Sequence, residues 1–248
     1  MTTLYLALGG TLKHVSTGFT QPPSAAVLCS YVYFETFEPL LMSYPNVRQW
    51  CLDSGAFTAY MLGKEIKLQD YIDFCKRMKM SQRPPAEIFA LDVIGDWAVS
   101  LRNTEEMWKQ GVEAIPCYHA GEPEHVLKTM ARDYPKIAVG GASGRLFGDT
   151  RRKYLEQCFA RVWPKKIHAF GIATEAVLQT LPFHSADASS WEIGPLRFGT
   201  WQAYDLPVSG TRKNFDLRPE VRVYLDIEAR LKTKWAAQMN QLEAMPWP

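Results

Sequence analysis

What this chain does not contain narrows its possible roles. No apolar run reaches the roughly 18 residues that would cross a bilayer, so no membrane span is expected. The opening Met1-Thr2-Thr3-Leu4 lacks the basic start and long apolar stretch of a secretory signal. The five cysteines, Cys29, Cys51, Cys75, Cys117 and Cys158, are odd in number and scattered. No Cys-x-x-Cys pair occurs, which argues for reduced, buried thiols in a cytoplasm and against a structural zinc site. No sign of charge dominates: the net charge is +2, so nucleic-acid binding would rest on local patches. Tandem repeats and low-complexity segments are also missing.

The chain does carry a repeated pattern. Its 248 residues, 47% hydrophobic, suit one α/β barrel or two small domains. Short apolar runs close on Gly, Asp or His. Leu4–Leu8 meets Gly9-Gly10, Ala26–Phe34 follows, and Trp50–Leu52 meets Asp53. Ile88–Leu91 meets Asp92, Ala114–Tyr118 meets His119, and Ile137–Val139 meets Gly140-Gly141. Ile167–Phe170 meets Gly171, and Phe183 leads to Asp187. Such runs, apolar throughout rather than alternating, read as parallel strands buried on both faces.

Helical spacing fills most of the gaps, as in Leu68, Tyr71, Ile72, Cys75 and Met78, or Tyr154, Leu155, Cys158, Phe159 and Val162. Thr104-Glu105-Glu106 reads as an N-cap opening a helix through Met107 and Trp108. Residues 11–24 and the stretch Glu175–Leu181 are weak crossovers. Eight strand–helix alternations predict a single-domain (β/α)8 TIM barrel, with an open doubly wound sheet as the alternative. Residues 1–191 would supply the strands and the mouth, 192–216 a loop insertion or lid, and 217–248 a closing C-terminal helix. That helix is marked by the stripe Tyr224, Ile227, Leu231, Trp235, Met239 and Leu242, for which a dimer face is the other reading.

Barrel enzymes carry their chemistry at the C-terminal ends of the strands. Here those ends present Asp53, Asp92, His119, Gly140, Gly141, Gly171 and Asp187. Any one of these Asp residues reads equally as a turn former, as Asp187 does among Ser185, Ser189 and Ser190. Three carboxylates at strand ends are harder to explain that way. Like charges crowded together raise at least one pKa and prepare one group as acid and another as nucleophile.

These stretches resemble a known family. Asp53-Ser54-Gly55-Ala56-Phe57 is similar to the Asp-Ser-Gly-Gly-Phe/Tyr-Gln motif of tRNA-guanine transglycosylases. Leu91-Asp92 resembles their base-reading Asp, and Ala138-Val139-Gly140-Gly141 their Ala-Ile-Gly-Gly segment. Phe170-Gly171-Ile172 resembles their Met-Gly-Val-Gly, and Ser185-Ala186-Asp187 their nucleophile strand. Order and placement match over residues 50–191. The resemblance is closer to the short phage-type, DpdA-like DNA-guanine transglycosylases, which share the Leu-Asp-Val-Ile-Gly-Asp, His-x-Gly-Glu and Ser-x-Asp-x-Ser-x-Trp stretches. Departures are the missing Cys3His zinc site, His119 in place of a base-reading Gln, and Ala56 and Thr58 in place of the second Gly and the Gln. They leave open the polymer and the incoming base.

The resemblance implies exchange of guanine for a 7-deazaguanine (preQ0-like) base at an N-glycosidic bond. Asp187 would be the nucleophile on C1′ and Asp53 the general acid and base, while Asp92 would read the guanine edge. Ser54, Gly55, His119, Gly140, Gly141 and Gly171 would line the base site. No cofactor is implied. The partner would be DNA, or tRNA, with a flipped guanine. Arg145, Arg151, Lys165, Lys166, Arg212 and Lys213 are the candidate backbone contacts, with Trp191 for stacking; a solvated helix face, or packing for the Trp, is the plain alternative. A cytoplasmic location is expected, a host cytoplasm if phage-encoded. A sugar or nucleoside glycosidase and a silent nucleic-acid-binding relative are the other classes.

Overall fold

The computed structural model describes residues 2–10, 12–21, 23–141, 146, 148–172, 174–203 and 216–244. Eight strands form one parallel sheet: β1 (Thr3–Leu8), β2 (Ala25–Ser30), β3 (Val47–Asp53), β4 (Glu87–Ile88), β5 (Cys117–His119), β6 (Lys136–Gly140), β7 (Lys166–Ala169) and β8 (Ser185–Ala188). Their order is β4-β3-β2-β1-β8-β7-β6-β5. Helices fill the crossovers, among them Phe34–Ser43, Leu68–Lys79, Trp97–Lys109, Glu124–Asp133 and Gly148–Val162.

The sheet is curled, and side-chain alternation shows how. Leu4, Leu6, Val27, Cys29, Trp50, Leu52, Ile137, Val139, Ile167 and Ala169 pack in a large core with the helices. Their neighbours Tyr5, Ala26, Leu28, Cys51, Cys117 and Ala138 form a second, smaller core with Phe89 and Ile115. Successive side chains on a strand face opposite ways, so the second core is the concave face meeting itself. Lys136 of β6 and Glu87 of β4 stand near opposite edges of the sheet, yet their charged groups meet at 2.5 Å. Between the two edge strands runs a parallel bridge, Phe89 to Ile115, with Ile115 N–H donating to the Ile88 carbonyl at 2.8 Å and Ala90 N–H to the Ile115 carbonyl at 2.9 Å.

Several local expectations need correction. The helix before β5 starts at Trp97, because the Asp96 carboxylate caps it by accepting Val99 N–H at 3.0 Å. Thr104 lies inside that helix, its hydroxyl donating back to the Ser100 carbonyl at 2.9 Å. The run Ala26–Phe34 does not stay extended. It leaves the sheet after Ser30, turns through Tyr31–Tyr33 and opens a helix at Phe34. That turn lets Tyr31 pack edge-on against Tyr71 and Phe74.

The tail is two helices, Arg218–Lys234 and Ala236–Ala244, separated at Trp235, whose indole donates to the Leu178 carbonyl. Tyr224, Ile227, Leu231, Met239 and Leu242 are all buried in this same chain, so the stripe is internal packing and not a free dimer face. Of the expected insertion, Gly194–Phe198 is a helical turn, and 204–215 lie outside the described residues. Among the described residues no helix is long and apolar enough to cross a membrane.

Candidate active site

All strands run one way, so their C-terminal ends share one side of the sheet. Asp53 is the last residue of β3. The chain then doubles back into the helix Ala56–Met61, and Gly55 N–H donates to Asp53 Oδ2 at 3.0 Å. Gly55 sits at φ +76°, where a side chain would be strained, and a Cβ there would come within 2.4 Å of Ser30 Oγ. Ser54 is buried beside it, its oxygen facing Ala56 N–H at 3.4 Å.

Asp187 lies in β8, opposite Tyr5 of β1. Its Oδ1 accepts Gly171 N–H at 2.7 Å and faces His168 Nε2 at 3.4 Å. Gly171, expected to line the base site, thus holds the Asp187 carboxylate through its amide.

Asp92 follows β4 and faces His119 Nε2 at 3.4 Å through Oδ2. His119 ends β5, and Glu122 grips it twice: Oε2 accepts the backbone N–H at 3.0 Å and Oε1 faces Nδ1 at 3.2 Å. A carboxyl group thus stands at each ring nitrogen, Glu122 within hydrogen-bond reach of Nδ1 and Asp92 further from Nε2. Gly140 pairs with His119 across β5 and β6. A Cβ on Gly140 would press on Cys117 Sγ at 3.0 Å, and one on Gly141 would reach the Ala120 nitrogen at 3.0 Å.

Burial sets the electrostatics. Asp53, Asp92 and Asp187 are each raised from an ordinary carboxylate value of 3.8 to about 7, in every case chiefly by loss of solvent. The Asp187 charge adds to the shift of Asp53, while the Gly55 and Ser54 amides oppose it. His119 opposes the shift of Asp92, and Asp53 and Glu122 add to it. The Gly171 amide opposes the shift of Asp187. The His119 imidazole is held well above its usual value by the Cys117 sulfur first, then by Glu122 and Asp92, against burial.

Ligand-type atoms of Asp92, Cys117 and His119 lie within 4.8 Å of one another, a set that could hold a soft divalent cation. The same ring nitrogens face Asp92 and Glu122.

The structure does not bring all the expected contacts to this side. Lys165 precedes β7 and Lys166 is its first residue, at the other end of the sheet. Lys165 Nζ donates to the Tyr134 carbonyl at 3.0 Å, and Lys166 pairs with Glu243 at 2.9 Å. Trp191 is wholly buried, its indole donating to the Ala7 carbonyl and its ring edge-on to Phe19, so it offers no face to a base. Arg151 opens the crossover helix after β6 and donates to the Leu146 carbonyl at 2.9 Å. Arg145, Arg212 and Lys213 lie outside the described residues.

Sequence reasoning passed over Glu122, which fixes His119, and the buried polar set Glu87, Lys136, His168 and Ser185. The available signal was a charge at the head of two apolar strands, Glu87-Ile88-Phe89 and Lys136-Ile137-Ala138. It also passed over Phe57, Tyr60, Met61 and Leu62, apolar and more than half exposed just beyond the Asp53 turn. Neither the protein-family models nor the curated proteins include a match to this chain.

Proposed function

We propose that the sheet closes as a (β/α)8 barrel and that the chain is a guanine transglycosylase acting on DNA. The edge-to-edge bridge of Phe89 and Ile115 supports closure. The observation that carries the activity is a pair of desolvated carboxylates, Asp53 and Asp187, at the same end of one parallel sheet, with the charge of Asp187 raising Asp53. With both near neutrality, one proton shared between them leaves one group acidic and the other ionised.

In the proposed reaction Asp187 attacks C1′ of a flipped deoxyguanosine, forming an ester bond as the C1′–N9 bond breaks. Asp53 protonates the departing guanine. It then takes the N9 proton of the incoming 7-deazaguanine, which attacks C1′ and releases Asp187. Gly171 N–H and the turn amide of Gly55 hold the two carboxylates while leaving each a free oxygen. Ionised Asp92 accepts the N1–H and 2-amino groups of guanine, which a carboxylate matches and an amide does not. His119, whose ring nitrogens face Asp92 and Glu122, borders the O6 side, where the glycine pair Gly140-Gly141 leaves room for the base.

Labelled guanine tests this directly, with wild type beside Asp187→Ala on DNA, tRNA and free nucleoside. Exchange into DNA, abolished in the variant, is the expected result; activity retained by Asp187→Ala would sink the nucleophile assignment. A second reading, a glycosidase on free nucleosides, is favoured by the near-neutral charge and by the distance of Lys165 and Lys166 from the strand ends. Release of base without exchange would select it.

A further inference from the structure

Beneath Asp187 the interior of the sheet holds a chain of polar groups with no role in the steps above. Lys136 Nζ meets Glu87 Oε1 at 2.5 Å and Ser185 Oγ at 2.7 Å. Ser185 Oγ meets His168 Nδ1 at 2.8 Å, and His168 Nε2 faces Asp187 Oδ1 at 3.4 Å. Four strands contribute: Glu87 from β4, Lys136 from β6, His168 from β7, and Ser185 and Asp187 from β8.

Donor and acceptor rules constrain the protons along the chain. An ammonium donates only, so the Ser185 oxygen accepts from Lys136. The single hydroxyl proton of Ser185 has His168 Nδ1 at 2.8 Å as its acceptor, an arrangement in which Nδ1 accepts. The ring proton therefore sits on Nε2. Nε2 is fully buried and makes no hydrogen bond, with Asp187 Oδ1 standing 3.4 Å away. Phe89 at 4.6 Å, Phe170 at 4.7 Å and Tyr5 at 6.2 Å between ring centroids box the imidazole in, so its plane cannot turn away. A buried donor left unmade is destabilising. An aromatic or aliphatic residue would fill this place without that cost, so the N–H points to a task.

We propose that His168 is a positioning residue for Asp187: a neutral imidazole, locked by Glu87, Lys136 and Ser185, whose Nε2–H steadies the free carboxylate when it is ionised and aims its other oxygen at the reacting carbon. The 3.4 Å separation shortens as the carboxylate takes full charge, since such contacts are commonly long before substrate arrives. Burial and the neighbouring Lys136 charge both hold the imidazole down, to about 3, so it stays neutral while Asp187 titrates. The titratable and charged groups facing this pair are Tyr5 of β1, Asp53 and Cys51 of β3, Glu87 of β4 and Lys136 of β6. The positioning role rests on the transglycosylase reading; the proton arrangement does not.

The experiment is a long-range proton–nitrogen NMR spectrum of the full chain labelled at histidine, with carbon-13 labelling of the aspartate carboxyls. Wild type is expected to show His168 with Nε2 protonated and Nδ1 bare from about pH 5 to 8. Ser185→Ala should mix the tautomers and move the Asp187 midpoint upward. His168→Phe, which keeps the packing, should move it further, and His168→Gln, which restores an N–H, should bring it part of the way back. In the exchange assay kcat should fall about tenfold or more in Ser185→Ala with KM unchanged. Protonation at Nδ1, or an Asp187 midpoint unmoved by both Ser185→Ala and His168→Phe, overturns the proposal. Should His168→Phe fail to fold, Ser185→Ala decides alone. A wild-type protein that exchanges no base yet shows the expected tautomer and midpoint shifts would overturn the transglycosylase reading and leave the relay standing.

Discussion

Asp53 is the residue on which acid chemistry and stability pull in opposite directions. Its carboxyl is raised from 3.8 to about 7, so between those values the folded protein binds a proton that the unfolded chain gives up. Stability from this group is full below about pH 4 and is lost as pH rises through 7. Asp53→Asn, which keeps an oxygen for Gly55 N–H, should therefore match wild type near pH 4 and exceed it increasingly toward pH 8, as urea midpoints at a series of pH values will show. The same group sets activity. Exchange should follow a bell in pH centred near neutrality, rising as the Asp53–Asp187 pair loses its first proton and falling with its second. Gly55 admits no side chain: its positive φ and the 2.4 Å approach to Ser30 Oγ make Gly55→Ala costly. A loss of about 2 kcal/mol or more is expected in a denaturation curve.

At the scale of elements, a buried ion pair joins strands that the sheet order keeps far apart. Lys136 and Glu87 gain little over a well-packed apolar pair, but removing one partner strands the other. Lys136→Met should cost about 3–5 kcal/mol, and adding Glu87→Gln to it should recover part of the loss in the same urea series. Both strands were legible in the sequence because Ile88-Phe89 and Ile137-Ala138 are apolar. The pairing was not, since nothing in two segments 49 residues apart says that their first side chains meet. The N-cap was misread for a related reason. Thr104-Glu105-Glu106 and Gly95-Asp96 both have capping chemistry, and only the position of Val99 N–H against the Asp96 carboxylate chose between them.

For the whole molecule, the distribution of charge matters more than its total of +2. Lys165 and Lys166 stand at the end of the sheet away from the carboxylates, and Lys166 is paired with Glu243. Under the proposed function, Lys165→Ala with Lys166→Ala should leave single-stranded DNA affinity within about twofold of wild type, and the slope of affinity against salt should be unchanged in a filter-binding series. A drop of tenfold would mean that the polymer wraps to the far end.

Local sequence determined which segments are strands, because runs buried on both faces must be apolar throughout, and it placed Asp53, Asp92, His119 and Asp187 at their ends. It also marked the turn after Asp53 by its Ser54-Gly55 pair. Only the tertiary structure decided what surrounds those groups. Curling the sheet took the solvent from three carboxylates and brought Glu87, Lys136, Ser185 and His168 into line beneath one of them. It also buried Trp191 against Ala7 and Phe19 and sent Lys165 and Lys166 to the opposite end. Strand identity follows from side chains near in sequence. Desolvation, ion pairing and the facing of a donor toward a carboxylate depend on residues brought together across the fold, and no short stretch of sequence carries that information.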